Sequence, residues 1–233
     1  MIPRLFFHSF IVSMFVISMT NAQAAGVVPD SSIVIVEEGD NEGAINVTNT
    51  DNWPVLMLTT LQDIPEDAEK LLMVTPPAAR VEPGKTQRVR FMLNSKQPLK
   101  TERLKRVTFE GIPPVQKGKN EVRMTVRQNL PVLIRPAGLA KEPAPWTKLT
   151  WEIKGKTLVV SNPSPYVVRI GQTVQTIPDN TAWTLPQTYV LPGQTFTMTL
   201  PNGKAPPGSR MVRLSPATTW GFAVDTYDAV LTR

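Results

Sequence analysis

The side chains that usually carry chemistry are nearly absent from this sequence. It holds one histidine, His8, and no cysteine. Once an N-terminal leader containing His8 is removed, Ser-His or Cys-His nucleophile pairs and zinc sites of imidazole or thiolate are excluded. Carboxylate chemistry of the glycosidase kind remains. The acids, however, gather at Glu37-Glu38 and at Glu66-Asp67-Glu69, in turn-like stretches where a solvated surface is the ordinary explanation. Met57, Met73, Met92, Met124, Met198 and Met211 are spread along the chain without the cluster a copper carrier needs, so they read as core packing. The sequence therefore reads as a non-enzyme without metal or cofactor. What could act on another molecule is the alternation in NEVRMTVRQNLPVLIRP: Val122, Met124 and Val126 share one face of a strand, and Arg123, Thr125 and Arg127 the other. Alternation alone fits both a half-buried strand and one that offers its apolar row to a partner.

The elements that must position this row are β-strands. Arg4, the mostly apolar residues 5–19 and Ala22-Gln23-Ala24 have the pattern of a cleaved export signal, predicted over residues 1–24. His8, Ser9 and Ser13 interrupt the apolar stretch, which is short for a spanning helix. No later segment is apolar enough to insert in a membrane. Export without cysteine leaves burial alone to hold the fold. The net charge is +6, less the one charge of Arg4, and the cations are scattered singly, which argues against nucleic acid as a partner.

The remaining chain of about 209 residues suits two domains of about 100 each. Short β-rich runs at 32–36, 44–47, 55–61, 88–93, 107–110 and 122–134 read as strands, and residues 65–70 as a brief helix. The Pro- and Gly-dense stretch 135–145 breaks the rhythm and reads as a junction. Strands resume at 149–153, 157–161, 166–173, 194–200, 210–214 and 224–231. The prediction is all-β: two tandem immunoglobulin-like β-sandwich domains, 25–138 and 139–233, with a hinge between them. Pro76-Pro77 and Pro83-Gly84 bracket a chain reversal and are read as turn chemistry.

Five segments, in order, resemble the periplasmic chaperones of chaperone–usher pilus systems: NVTNTDNWPVLM (46–57), VTPPAARVEPGKTQRVRF (74–91), FEGIPP (109–114), IRPAGL (134–139) and SNPSPYVV (161–168). The resemblance covers nearly the whole chain after the leader. It implies a periplasmic protein of a Gram-negative bacterium that caps pilus subunits by donor-strand complementation and delivers them to an outer-membrane usher. Val122, Met124 and Val126 would then face outward and fill the slot of a subunit that lacks its last strand, with main-chain hydrogen bonds supplying affinity. Three such side chains, fully buried, would contribute roughly 5–9 kcal/mol before association costs. The loop at 113–120 would order on binding, and a bare edge would let empty molecules self-associate. The resemblance also pairs Glu102 with Arg135 at the hinge. The acid that completes the family's hinge network is absent, since that stretch reads Thr219-Trp220-Gly221.

The departure lies in the cleft between domains. The family holds a subunit's terminal carboxylate with an Arg and a Lys that align with Ile33 and Pro131, neither of them charged. Arg169 or Arg127, or Ser31, Ser32 and backbone N–H groups, are the groups that could replace them. Two other readings stay open: a secreted immunoglobulin-like structural or adhesion module, and an accessory chaperone-like protein that caps no subunit in the standard way. A subunit would need only one domain, whereas here there are two and the donor-like strand is internal.

Overall fold

A computed structural model of the chain describes residues 26–114, 125–200 and 208–232. The export signal predicted over residues 1–24 lies outside them, as do Val122 and Met124.

The first domain contains β1 (Val27–Pro29), β2 (Val34–Glu37), β3 (Glu42–Asn49), β4 (Val55–Gln62), β5 (Leu72–Thr75), β6 (Ala78–Val81), β7 (Thr86–Leu93), β8 (Arg103–Ile112) and β9 (Arg127–Arg135). They follow the order β5-β7-β3-β2-β9-β8-β4-β6, with β1 on β3. Alternating apolar residues close the sandwich over Val36, Val47, Met57, Val89, Phe91, Val107, Phe109, Val132 and Ile134. The β2–β9 pair is parallel and the β8–β9 pair antiparallel.

The second domain contains β10 (Thr150–Lys154), β11 (Thr157–Ser161), β12 (Val168–Ile170), β13 (Thr173–Ile177), β14 (Thr181–Thr184), β15 (Tyr189–Val190), β16 (Thr195–Thr199), β17 (Met211–Leu214), β18 (Pro216–Ala217) and β19 (Tyr227–Thr232). One sheet runs β14-β13-β17-β19-β10-β11-β16, and a small one runs β15-β12-β18. Trp151, Trp183, Leu158, Val160, Leu185, Val212 and Leu214 fill the space between them.

Each domain is closed at one corner by a buried asparagine used in the same way. Asn49 Nδ2 donates to Trp53 O and to Val81 O, both at 2.9 Å. Asn162 Nδ2 donates to Tyr166 O at 2.7 Å and to Val190 O at 3.0 Å. In both cases Oδ1 accepts the amide two residues on, so the side chain makes the turn and ties it to a neighbouring strand. At the reversal after β6, Gly84 takes φ +66°, the left-handed conformation that glycine tolerates, and donates to Asn49 O at 2.9 Å.

Two expectations are corrected. Residues 65–70 form a turn rather than a helix. Asp67 N donates to Ile64 O, and the Asp67 carboxylate accepts Arg103 Nη2 at 2.6 Å and lies 3.0 Å from Lys105 Nζ. Six residues give too few helical bonds to compete with those contacts. The single strand expected at 166–173 is two, β12 and the start of β13. Gly171 N donates to Ser215 O at 2.7 Å where the chain leaves one sheet for the other.

Candidate functional site

The long strand before the junction changes character half-way. In β9 the first residues, Arg127 to Leu130, are exposed or half-buried, and everything from Pro131 to Arg135 is buried. The inner half is covered on both faces: Val132 and Ile134 enter the first domain's core, and Leu133 joins an apolar cluster between the domains. The outer half has a covered edge and an open one. β8 pairs along it from Arg127 to Ile134, whereas β2 joins the other side only at Val132. From Arg127 to Pro131 the second edge has no strand beside it among the described residues. It borders a groove of about 410 Å³ lined by Val28, Pro29, Ser32, Gln128, Leu130 and Phe222. Val126, at the outer end, is 47% exposed. Arg127 is engaged elsewhere, with Nη2 2.7 Å from Glu110 Oε2.

Such an arrangement presents free backbone N–H and C=O groups next to an apolar trough, which is what an added strand requires. A strand entering beside β9 in the direction of β2 would run towards the junction and stop where β2 begins.

At that inner end the domains meet. Glu102, 2% exposed, accepts Val167 N at 2.8 Å through Oε2 and Arg135 Nε at 3.3 Å through Oε1. Arg135 Nη1 in turn donates to Glu37 Oε1 at 2.6 Å. Glu102 N also donates to Pro165 O at 2.8 Å, so one buried residue of the first domain holds the second domain at two points. Burial pushes the Glu102 carboxyl up, against the pull of Val167 N–H and Arg135. Glu66 adds a second tether, accepting Gln187 Nε2 and Tyr189 Oη; the latter bond is 3.0 Å. Burial and the Glu66 carboxylate push the Tyr189 phenol up to about 12.

Ile33 lies at this junction, and Pro131 begins the buried half of β9. Ile33 is 4% exposed and packs with Ile64, Leu104 and Leu133 of the first domain and Val167 of the second, with Tyr189 and Leu191 at the margin. Its apolar character fits a position on which both domains close. Pro131 is buried and sits opposite Arg106 across the β8–β9 ladder. Arg106 is oriented by Asn129, with Nε 2.7 Å from Oδ1 and Nη2 3.0 Å from O. Arg169 projects from β12, and its Nη1 is buried with no hydrogen-bond partner. Burial, and then the charge of Arg106, lower its pKa. Ser31 is turned back onto its own loop, bonding Ile33 O at 2.9 Å, and Ser32 Oγ donates to Gly221 O at 3.4 Å.

Comparison with known proteins decides what this geometry belongs to. Residues 26–140 match the family described as "Pili and flagellar-assembly chaperone, PapD N-terminal domain", and residues 144–227 match "Pili assembly chaperone PapD, C-terminal domain". The chain is a member of the pilus-assembly chaperones. It is 39% identical over 216 residues to the uncharacterized fimbrial chaperone YhcA of Escherichia coli strain K12, covering 92% of this chain and 95% of that one. It is 30% identical to the chaperone FimB/FhaD of Bordetella pertussis, over 66% and 69% of the two chains. The fold is that of the SafB chaperone in the Salmonella enterica SafA–SafB complex, with TM-score 0.72, 20% identity, and coverage of 90% of this chain and 98% of that one. It is also that of the E. coli chaperone DraB, with TM-score 0.70, 20% identity, and coverage of 87% and 96%.

As a pilus-assembly chaperone the chain has a non-enzymatic role, assisting the assembly of pilus subunits. Sequence reasoning about this chaperone missed Arg106 and read Glu37 and Glu66 as solvated surface. Each acts through a contact between residues distant in sequence, and no local spacing marks them. Only the position of Arg106 within an alternating β-run could have flagged it as outward-facing.

Proposed function

We propose that this chaperone caps a pilus subunit along the open edge of β9, exports with the leader of residues 1–24 to the periplasm, and passes the subunit to an outer-membrane usher. The observation that carries the reading is the half-paired β9. Its inner half is locked into both domains, and its outer half offers an unpaired backbone edge, a groove and the half-exposed Val126. Val122 and Met124 extend the same apolar row in the sequence, and the lent face is assigned to all three. Glu102 and Arg135 set the angle at which the domains flank the groove. The domains are assigned to residues 25–138 and 139–233, an assignment supported by the turn at residues 137–138.

The test is Val126→Glu, with co-purification of a cognate pilus subunit. In the empty protein the side chain is half in solvent, so the fold should lose less than about 0.5 kcal/mol. In a complex a carboxylate would be buried without a partner, at a cost of a few kcal/mol, and affinity should fall by about a hundredfold or more. Undiminished recovery of the subunit with the variant would remove the row from the binding surface. The uncharged Ile33 and Pro131 favour a second reading, an accessory member that caps no subunit in the standard way; it predicts that wild-type protein recovers no subunit at all.

A further inference from the structure

We infer that Phe222 is a specificity-determining residue. From the second domain it closes the groove beside β9, and there it selects a bulky apolar side chain, and rejects an acidic one, at the position of the captured strand opposite Leu130. The inference rests on the capping reading above and adds to it which side chain of the bound chain is read, and by what.

The first support is how Phe222 is held. It lies in the turn that follows β18, and its backbone is tied on both sides. Phe222 N donates to Thr218 Oγ1 at 3.1 Å, and Phe222 O accepts Thr218 N at 2.8 Å. Gly221 N donates to Thr218 O at 2.9 Å, and the Thr219 side chain within the turn is buried. The Phe222 side chain is nevertheless 69% exposed. It buries little against its own domain, and its aromatic ring has only two torsions to freeze when another chain packs on it.

The second support is position. Gly221, next to Phe222, has φ +86°. A Cβ there would clash with Ser32 Oγ and press on Ile33 Cγ2 at 3.4 Å, so the glycine lets the turn rest directly on the first domain. That close approach sets Phe222 at the rim of the groove, across from Val28, Pro29 and Leu130. The side chain is thus the second domain's contribution to a groove whose other described walls belong to the first.

The third support is the chemistry that the groove offers. Leu130 shares a face of β9 with Val132 and Ile134, which are fully buried in the core, but is itself only half-buried. A residue opposite Leu130 on an added strand points to the same side of the sheet. Its side chain therefore enters the groove between Leu130 and Phe222, where the surrounding apolar walls favour a large apolar group. The charged lining residue is Asp30, whose Oδ1 and Oδ2 accept Asn46 N at 3.3 Å and Asn46 Nδ2 at 2.9 Å. No cation lines the groove among the described residues. An acidic side chain would be desolvated there against a like charge, which is discrimination by repulsion.

The test uses the whole chaperone and synthetic peptides of about ten residues with alternating leucines, each leucine changed in turn to alanine and to aspartate. With the wild type, alanine at one position should weaken binding about tenfold or more, and aspartate at that position about a hundredfold or more. In Phe222→Ala the alanine penalty at that position should shrink to about threefold or less while the penalties elsewhere stay as they were; Phe222→Leu should restore it. Asp30→Asn should ease the aspartate penalty alone. The empty Phe222→Ala protein should unfold within about 2 °C of the wild type, since the side chain is mostly in solvent. An unchanged profile in Phe222→Ala would overturn the selection and leave strand capture standing. A loss of the same factor for every peptide would make Phe222 a general contact and also overturn it. Failure of all the peptides to bind the wild type would count against strand capture itself, and the selection with it.

Discussion

Removing the Glu102 side chain separates the two jobs its carboxylate performs. In Glu102→Ala, Val167 N–H loses its acceptor at a buried interface, a penalty of about 1–3 kcal/mol. Arg135 loses one partner but keeps Glu37 at 2.6 Å, so the full cost of about 3–5 kcal/mol for stripping a buried ion pair is not reached. The expected total is about 2–4 kcal/mol. In Glu102→Gln the amide oxygen can still accept from Val167, and a carboxylate no longer has to be buried, so the loss should be about 1 kcal/mol or less. Burial raises the folded pKa of Glu102 above 4.5, so the folded protein binds this proton more readily than the unfolded chain. Its contribution to stability therefore falls as pH rises from about 4.5 through the folded value, and Glu102→Gln should abolish that slope. Urea unfolding of both variants at several pH values is the assay. A Gln variant as damaged as the Ala variant would mean that charge, and not the Val167 hydrogen bond, holds the domains.

Two further outcomes follow from the corners and from Asp179. Asn49→Ala deprives Val81 O of its buried donor and undoes the turn to Trp53, so it should cost about 2–4 kcal/mol in thermal unfolding, and Asn162→Ala should cost the same in the second domain. A loss below about 0.5 kcal/mol would deny the corners their role. Burial opposes the ionised Asp179, yet hydrogen bonds from Ser209, Thr181 and Thr176 outweigh it and hold its pKa down at about 2. That stabilisation is complete above the ordinary value of 3.8 and is lost as pH falls towards 2, so Ser209→Ala should unfold at higher pH in an acid titration. An unchanged acid midpoint would contradict the role of that bond.

Much of the fold was legible because its long strands are written in β-branched residues with a period of two, as in β3, β4, β7 and β8. The short strands β5, β6, β14, β15 and β18 were not. Each has two to four residues and takes its stability from long-range pairing, which leaves no local signal. The turn at 65–70 was misread because helix-forming acids there serve as ion-pair partners of Arg103 and Lys105, two residues more than 30 positions away. Neither the half-pairing of β9 nor the apolar plug around Ile33 could be read from the chain, since both depend on where β2 joins β9. Ile33 and Pro131 stood out in the sequence only as missing charges; the structure gives Ile33 a packing role and sets Arg106 opposite Pro131.

The account turns on the outer edge of β9 being vacant in the empty chaperone and filled in the complex. Amide hydrogen exchange over residues 127–130, measured with and without a co-purified pilus subunit, tests this most directly. Slow exchange that appears only in the complex, with the inner half of β9 protected in both states, is the expected result. Exchange at the same rate in both states would contradict it.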